Sequence, residues 1–254
     1  NCVECEPVLH HNIKRIEENP ELVVKGIKYA MQTTGAKKAY IAIKAKHPEA
    51  IASLEKYLNG DSSIEIKKLR DMYPMGEERA IIHEIFGMWL EPTQLPLDAK
   101  CVVLNGETLA NITMAVEERK PVIDKDITVI GKLKSGKEPN VFFDVPVGSS
   151  IKSLIEKCGG IDGEYGEIVI GGPYTGKSGE LENSTVTKIS GGVIVTISLP
   201  EYKGKLGLLV CACGANEERL REIAEKMNSD IVTAVECKNI EHVKGALKCK
   251  TPGE

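Results

Sequence analysis

V-F-F-D-V-P-V-G-S-S-I-K-S-L-I-E-K-C-G-G (Val141–Gly160), followed by E-I-V-I-G-G-P-Y-T-G (Glu167–Gly176), is the stretch around which the chain is organised. Phe142, Val145 and Val147 belong to an extended segment that turns at Pro146 and Gly148. Ser149 or Ser150 can cap a short helix, whose apolar residues Ile151, Leu154 and Ile155 fall at i, i+3 and i+4. Gly159-Gly160 stops it, because glycine reaches the left-handed conformation that a helix end needs. A second apolar run, Ile168–Ile170, breaks at Gly171-Gly172-Pro173. Strand, helix and strand in so few residues predict a small β-grasp-like module. Working outward, the expected fold class is α/β in three parts. A Rossmann-like parallel-sheet domain occupies residues 1–124, the β-grasp module 125–199, and a small cysteine-containing α/β segment 200–254.

The 254 residues can bury a core of ordinary size. A net charge of -4 offers no broad basic surface, which argues against a nucleic-acid partner. No apolar run approaches the roughly 18 residues of a membrane-spanning helix, so direct membrane insertion is not expected. The eight cysteines, without a secretory signal, read as cytosolic thiols or redox groups. The chain starts at Asn1, directly in motif-like sequence, and is expected to be a fragment or a processed product.

From Asn19 the helix and strand periods alternate. Asn19 and Pro20 open a helix carrying Leu22, Val23, Ile27, Ala30 and Met31, which Gly35 ends. Ala39–Ile43 reads as a strand, Pro48–Leu58 as a helix and Ile64–Leu69 as a strand. This alternation implies a mainly parallel sheet, with ligands beyond the carboxyl ends of its strands. The loop Asp71–Glu78 lies at such an end. Gly76 would let backbone approach a ligand, and the following helix start offers N–H groups that suit a phosphate. Glu77 and Glu78 could instead serve only the helix dipole. Cys101–Leu104 reads as the next strand and Asn105 as either the cap of the helix Leu109–Glu118 or part of the same pocket. At the amino end, Glu4 and Glu6 would point the same way if extended. Cys2 and Cys5 form a lone C-x-x-C, and His10-His11 a weak metal signal, since adjacent side chains point apart.

N-C-V-E-C-E-P (Asn1–Pro7), Y-P-M-G-E-E (Tyr73–Glu78) and L-N-G-E-T-L-A-N (Leu104–Asn111), in that order and spacing, resemble the flavin-binding family of the complex I NADH-oxidising subunit and the Rnf-complex C subunit. The central module resembles that family's SLBB domain, a soluble-ligand-binding β-grasp. The tail, K-L-G-L-L-V-C-A-C-G-A-N, resembles clostridial proline-reductase-associated electron-transfer proteins. The resemblance implies FMN and NADH as cofactors, and electrons leaving through iron–sulfur clusters outside this chain. The electron-acceptor partner would be a reductase, proline reductase among the candidates, or a membrane electron-transfer complex. It implies a cytoplasmic protein, peripheral at the inner face of the membrane. By position, Asn1, Glu4 and Glu6 would line the flavin and nicotinamide side. Tyr73, Gly76, Glu77 and Glu78 would form the second wall and Asn105 the phosphate end.

Four departures qualify it. Val3 stands where complex I relatives carry an acid, and Leu104 where they carry an asparagine. The family's glycine-rich flavin loop would lie upstream of Asn1, and no C-x-x-C-x-x-C-x-x-x-C-P run occurs. The chain alone is therefore expected not to hold FMN tightly and to be inactive by itself. A module that binds a soluble ligand or partner, with no redox activity, is the alternative.

Two further motifs complete the reading. Gly171–Ser178, G-G-P-Y-T-G-K-S, has the formal spacing of a phosphate-binding loop. Gly179 and Asn183 follow without a helical stripe, so a turn of the module is expected and nucleotide binding is not. Past Pro200, Leu206–Val210 and Ile231–Val235 read as strands flanking the helix Asn216–Met227. Cys211 and Cys213 sit at the first strand-to-helix junction, where a helix start favours the thiolate. They are the candidate redox residues, Cys213 the better of the two. Cys237 and Cys249 could be redox thiols or part of a cluster site.

Overall fold

The computed structural model describes residues 1–91, 93–212, 216–244 and 246–250, in two compact units, residues 1–197 and 198–254. Cys213, the preferred redox candidate, lies outside the described residues.

The first unit opens with α1 (His11–Glu18) and α2 (Pro20–Thr34), followed by β1 (Ala39–Lys44), α3 (Pro48–Leu58) and β2 (Ile64–Leu69). Pro20 and Pro48 each occupy a first helical turn, where the missing N–H costs nothing. Gly35, at φ 74°, ends α2. β1 and β2 pair in parallel, Ala39 opposite Ile64 through Lys44 opposite Leu69. Ile16, Val23, Val24, Ile41, Ile43 and Leu54 form the core between this sheet and its helices. Fully burying such a side chain contributes about 1.5–3 kcal/mol. α4 (Glu78–Phe86) and α5 (Gly106–Glu118) complete this part.

Among the described residues the sheet here has two strands. Cys101–Leu104, expected as a third, forms no ladder. The carbonyl oxygen of Leu104 accepts from the Asn1 backbone nitrogen (2.7 Å), while Cys2 N–H reaches Ala42 O (2.8 Å). Residues 1–2 therefore lie between Leu104 and β1, bonded to Leu104 and Gly106 on one side and to Ala42 on the other, without a run of ladder pairs.

β3 (Asp124–Gly131), β4 (Asn140–Pro146), α6 (Ile151–Lys157), β5 (Ile168–Ile170), β6 (Lys177–Gly179) and β7 (Gly192–Val195) follow. Their sheet runs β4-β3-β7-β5-β6, with β3 and β7 parallel and the other neighbours antiparallel. The expected strand–helix–strand grasp is thus present. Ile151, Leu154 and Ile155, the stripe read from the sequence, pack with Ile127, Val129 and Val193. Cys158 is buried in that core, and burial pushes its thiol up.

The second unit holds β8 (Lys205–Val210), α7 (Glu217–Lys226), β9 (Asp230–Glu236), β10 (Ile240–Val243) and β11 (Ala246–Cys249). β8 and β9 pair in parallel across α7, and β10 and β11 form a hairpin. The side-chain oxygen of Asn216 caps α7 by accepting from Arg219 N–H (2.9 Å). Among the described residues no helix is long and apolar enough to cross a membrane.

Candidate functional site

Three loops meet at the carboxyl end of the β1–β2 sheet, and Asn1 ties them together. Its backbone nitrogen donates to Leu104 O, its carbonyl oxygen accepts from Gly106 N–H (2.9 Å), and its Nδ2 donates to Gly76 O (2.9 Å). Its Oδ1 accepts from Val3 N–H (3.1 Å), which fixes the side chain as well. Asn1, Gly76 and Asn105, separated by up to a hundred residues in sequence, are thereby neighbours in space. Gly76 is required by this closeness. Its N–H donates to Cys5 Sγ (2.8 Å), and a Cβ there would stand 2.6 Å from that sulfur. The tight approach uses the lone C-x-x-C as packing: Cys2 is buried, and burial raises its thiol.

The two glutamates of the first segment do not act as a pair. Glu4 is half-buried and accepts from Asn12 Nδ2 (3.0 Å). Burial pushes its carboxyl up to about 7, although the Asn12 hydrogen bond and Lys44 oppose the shift. Glu6 reaches instead into the turn Gly171–Gly176. One carboxylate oxygen accepts from Tyr174 N–H (2.9 Å), and the other accepts from the Thr175 hydroxyl. Tyr73 and Tyr174 meet edge to face, with centroids 4.6 Å apart. Gly172 makes room, since a Cβ on it would lie 2.1 Å from Glu6 Oε2. The G-G-P-Y-T-G motif therefore does cradle an anion, and the anion is the protein's own Glu6. Lys177 begins β6 rather than a helix.

The second wall divides in the same way. Glu77 caps α4, accepting from Arg79 N–H (3.0 Å) and Ala80 N–H (3.1 Å), and pairs with Arg79 Nε (2.8 Å). Asn105 caps α5 by accepting from Glu107 N–H (2.8 Å). The bland reading of each as a cap is realised. Glu78 and Tyr73 are exposed.

These placements decide which parts of a flavin and nucleotide the residues present can hold. Carboxylates at Glu4 and Glu78 suit hydroxyl and carboxamide donors. At the starts of α4 and α5, Arg79, Ala80 and Glu107 give their N–H groups to Glu77 and Asn105. A phosphate is not held by those amides.

Sequence reasoning missed a polar cluster behind α1. Arg15 binds Asp126 through two nitrogens (2.7 and 2.6 Å) and Asp144 through one (3.2 Å), and lies over the Phe143 ring. His11 Nδ1 lies 3.0 Å from Thr128 Oγ1, and burial lowers the ring to about 4. Polar residues at i and i+4 of a helix gave no sign of partners more than a hundred residues away. A cavity of about 20 Å³, lined by Arg15, Glu107, Lys125 and Asp126, has room for a water and no more.

Residues 1–114 match the family described as the Nuo51 FMN-binding domain. The chain is 33% identical over 195 residues to the cobalamin reductase PduS of Citrobacter freundii, covering 77% of this chain and 42% of that protein. It is 31% identical over 194 residues to the C subunit of the Na(+)-translocating ferredoxin:NAD(+) oxidoreductase complex of Acetobacterium woodii, covering 76% and 43%. To the C subunit of the ion-translocating oxidoreductase complex of Rhodobacter capsulatus it is 28% identical over 206 residues, covering 80% and 39%. The chain thus spans less than half the length of these relatives. The resemblance drawn from the three loops holds: the chain is similar to Rnf C-type subunits and to PduS, and residues 1–114 are similar to the Nuo51 FMN-binding family.

Proposed function

We propose that this chain is part of an electron-transfer oxidoreductase that takes electrons from NADH through FMN and passes them to a partner protein. The observation that carries the reading is the convergence of Asn1–Glu6, Tyr73–Glu78 and Leu104–Asn105 on one sheet edge, within the segment that matches an FMN-binding family. FMN, when bound, accepts a hydride and can release electrons singly. The chain's own part is positional and acid–base. Asn1 holds the loops in register, and Glu78 offers an unburied carboxylate to hydroxyl groups. Glu4, with its carboxyl near 7, can hold or release a proton at neutral pH. Iron–sulfur clusters would lie outside this chain. A reductase, proline reductase among them, is the proposed acceptor. Two relatives are named as subunits of ion-translocating complexes, which supports a peripheral place beside a membrane complex.

Equilibrium dialysis of the full chain against FMN tests this. Saturable binding, weak because the phosphate lacks amides, is expected, and Gly76→Ala should abolish it while Lys177→Ala leaves it unchanged. Circular dichroism of Gly76→Ala separates lost binding from lost fold. Saturable binding insensitive to a folded Gly76→Ala, or no saturable binding at all, would sink the reading. The second outcome would favour the alternative of a ligand-binding module without redox activity.

A further inference from the structure

We propose that Cys211 and Cys237 form a dithiol–disulfide pair at the carboxyl edge of the β8–β9 sheet. β8 and β9 run in parallel to their last residues, with Val210 opposite Glu236. The last pair of the ladder reaches the first residue beyond β9, because Cys237 N–H donates to Val210 O (2.8 Å). The next position on each strand end is a cysteine, so Cys211 and Cys237 are cross-strand neighbours. Neighbouring strands lie about 4.8 Å apart. A disulfide requires Cα atoms about 4.4–6.8 Å apart, a range that the spacing of adjacent strands falls within.

Side-chain direction agrees. Leu209 and Val235 are also opposite one another, and both are more than half exposed on one face of the sheet. Residues two positions along a strand return to the same face. Cys211 and Cys237 follow Leu209 and Val235 at that spacing, and each is partly accessible. Cys249 is opposite Ile240, whose N–H donates to Cys237 O (2.9 Å), so a third thiol stands on the neighbouring hairpin. Among the described residues, no three cysteine, histidine or acidic side chains gather closely enough to hold a metal ion.

The step balances with a disulfide as the oxidant. One cysteine thiolate attacks a sulfur of RS–SR, forming a mixed disulfide and expelling RS⁻, which takes up a proton. The second cysteine, as thiolate, then attacks the bonded protein sulfur, closing the Cys211–Cys237 bond and expelling the second RS⁻. The protein loses two electrons and two protons, and RS–SR becomes two RSH. In reverse, the reduced pair delivers two electrons to a disulfide substrate. The pair is independent of the flavin-side loops and stands or falls without them.

The test equilibrates the full chain with glutathione and glutathione disulfide, quenches by alkylation and maps peptides without reduction. The expected result is a peptide linking Cys211 to Cys237 in the wild-type chain. A tenfold rise in glutathione at fixed glutathione disulfide should lower the oxidised-to-reduced ratio about a hundredfold, as an internal disulfide requires. Cys237→Ser should leave glutathione attached at Cys211. A Cys211–Cys213 or Cys211–Cys249 link, or a ratio that falls only tenfold, would overturn the proposal. The map is made on the wild-type chain, so it does not depend on any variant folding.

Discussion

Residues 1–6 and the carboxyl edge of the β8–β9 sheet both set cysteines beside the ends of parallel strands, yet they are built in opposite ways. In the first, Cys2 is buried and Cys5 accepts from Gly76 N–H, so both sulfurs serve as packing. In the second, the strand residues beside the thiols, Leu209 and Val235, are open to solvent on one face. A cysteine at a strand end is thus no signal by itself; what covers the strand decides between packing and chemistry. The first region also commits its carboxylates to structure. Glu6 fills the Gly171–Gly176 turn and Glu77 caps α4, which leaves Glu4 and Glu78 for ligands.

If the first region is held by long-range polar contacts, breaking the strongest should have the largest effect. Asp126 receives two bonds from Arg15 and accepts from Asp144 N–H (3.1 Å), with side-chain exposures of 15% for Arg15 and 10% for Asp126. Asp126→Ala leaves the guanidinium short of its main partner and should cost about 3 kcal/mol. Urea unfolding followed by far-ultraviolet circular dichroism should show an earlier midpoint. Iodoacetamide labelling of Cys237 in the folded variant should be unchanged. A coupled change would break the contrast between the regions.

A second effect, of about 2–3 kcal/mol, depends on pH. Glu4 titrates near 7 in the fold, above its usual 4.5, so the folded state holds the extra proton between those values. Its contribution is complete below about 4.5 and is lost as pH rises through 7. His11 has the opposite sign: lowered from 6.5 to about 4, it stays neutral where the unfolded chain binds a proton. Its contribution is present above 6.5 and is lost as pH falls through 4. The two slopes oppose one another in the wild type. Glu4→Gln should remove one, giving a chain whose stability climbs from pH 4 to 6.5 and exceeds the wild type at pH 8. Denaturant midpoints across that range measure it; parallel wild-type and variant profiles would contradict the assignment.

The order of these effects bears on what the sequence made legible. β1, α3 and β2 fell within a residue or so of expectation because their signals are local: a proline in the first turn, a period of 2 or 3.6, a residue that accepts a left-handed backbone at the end. The three loops were legible as neighbours because their order matched a family. What could not be read was pairing across distance. Cys101–Leu104 has strand composition, but Asn1–Cys2 stand where its partner strand would be. Glu6 and Thr175 are 169 residues apart, and nothing in either stretch announces the other. Cap residues were legible as positions and ambiguous as roles. Glu77 and Asn105 each had two readings, and only the direction of the side chain chose between them.

That ambiguity gives the third test. Glu77→Ala removes the acceptor for two α4 N–H groups and should cost about 1 kcal/mol. Glu78→Ala, at an exposed position, should change stability by no more than about 0.5 kcal/mol. The FMN and NADH reading predicts the reverse ranking for ligand binding followed by equilibrium dialysis, with Glu78 the more sensitive. If both variants lose stability equally, Glu78 is also structural and the division of the second wall fails.

The smallest expected effect lies where the sequence signal looked strongest. Gly171–Ser178 matches a phosphate-loop spacing, yet three of the donors that would hold a nucleotide are already committed. Tyr174 N–H and the Thr175 hydroxyl are given to Glu6, and Gly176 N–H is given to Gly172 O (2.9 Å). Lys177 pairs with Ile170 as a strand residue, so no helix begins there to present amides to a phosphate. A bound nucleotide would have to displace the Glu6 carboxylate and would meet its charge. Lys177→Ala, at an exposed edge-strand position, should therefore shift stability by no more than about 0.5 kcal/mol. Calorimetry with ATP and Mg²⁺ should show no binding heat with either chain. Binding that Lys177→Ala removes would mean that Glu6 can leave the turn, and the cradle would then be a site rather than a latch.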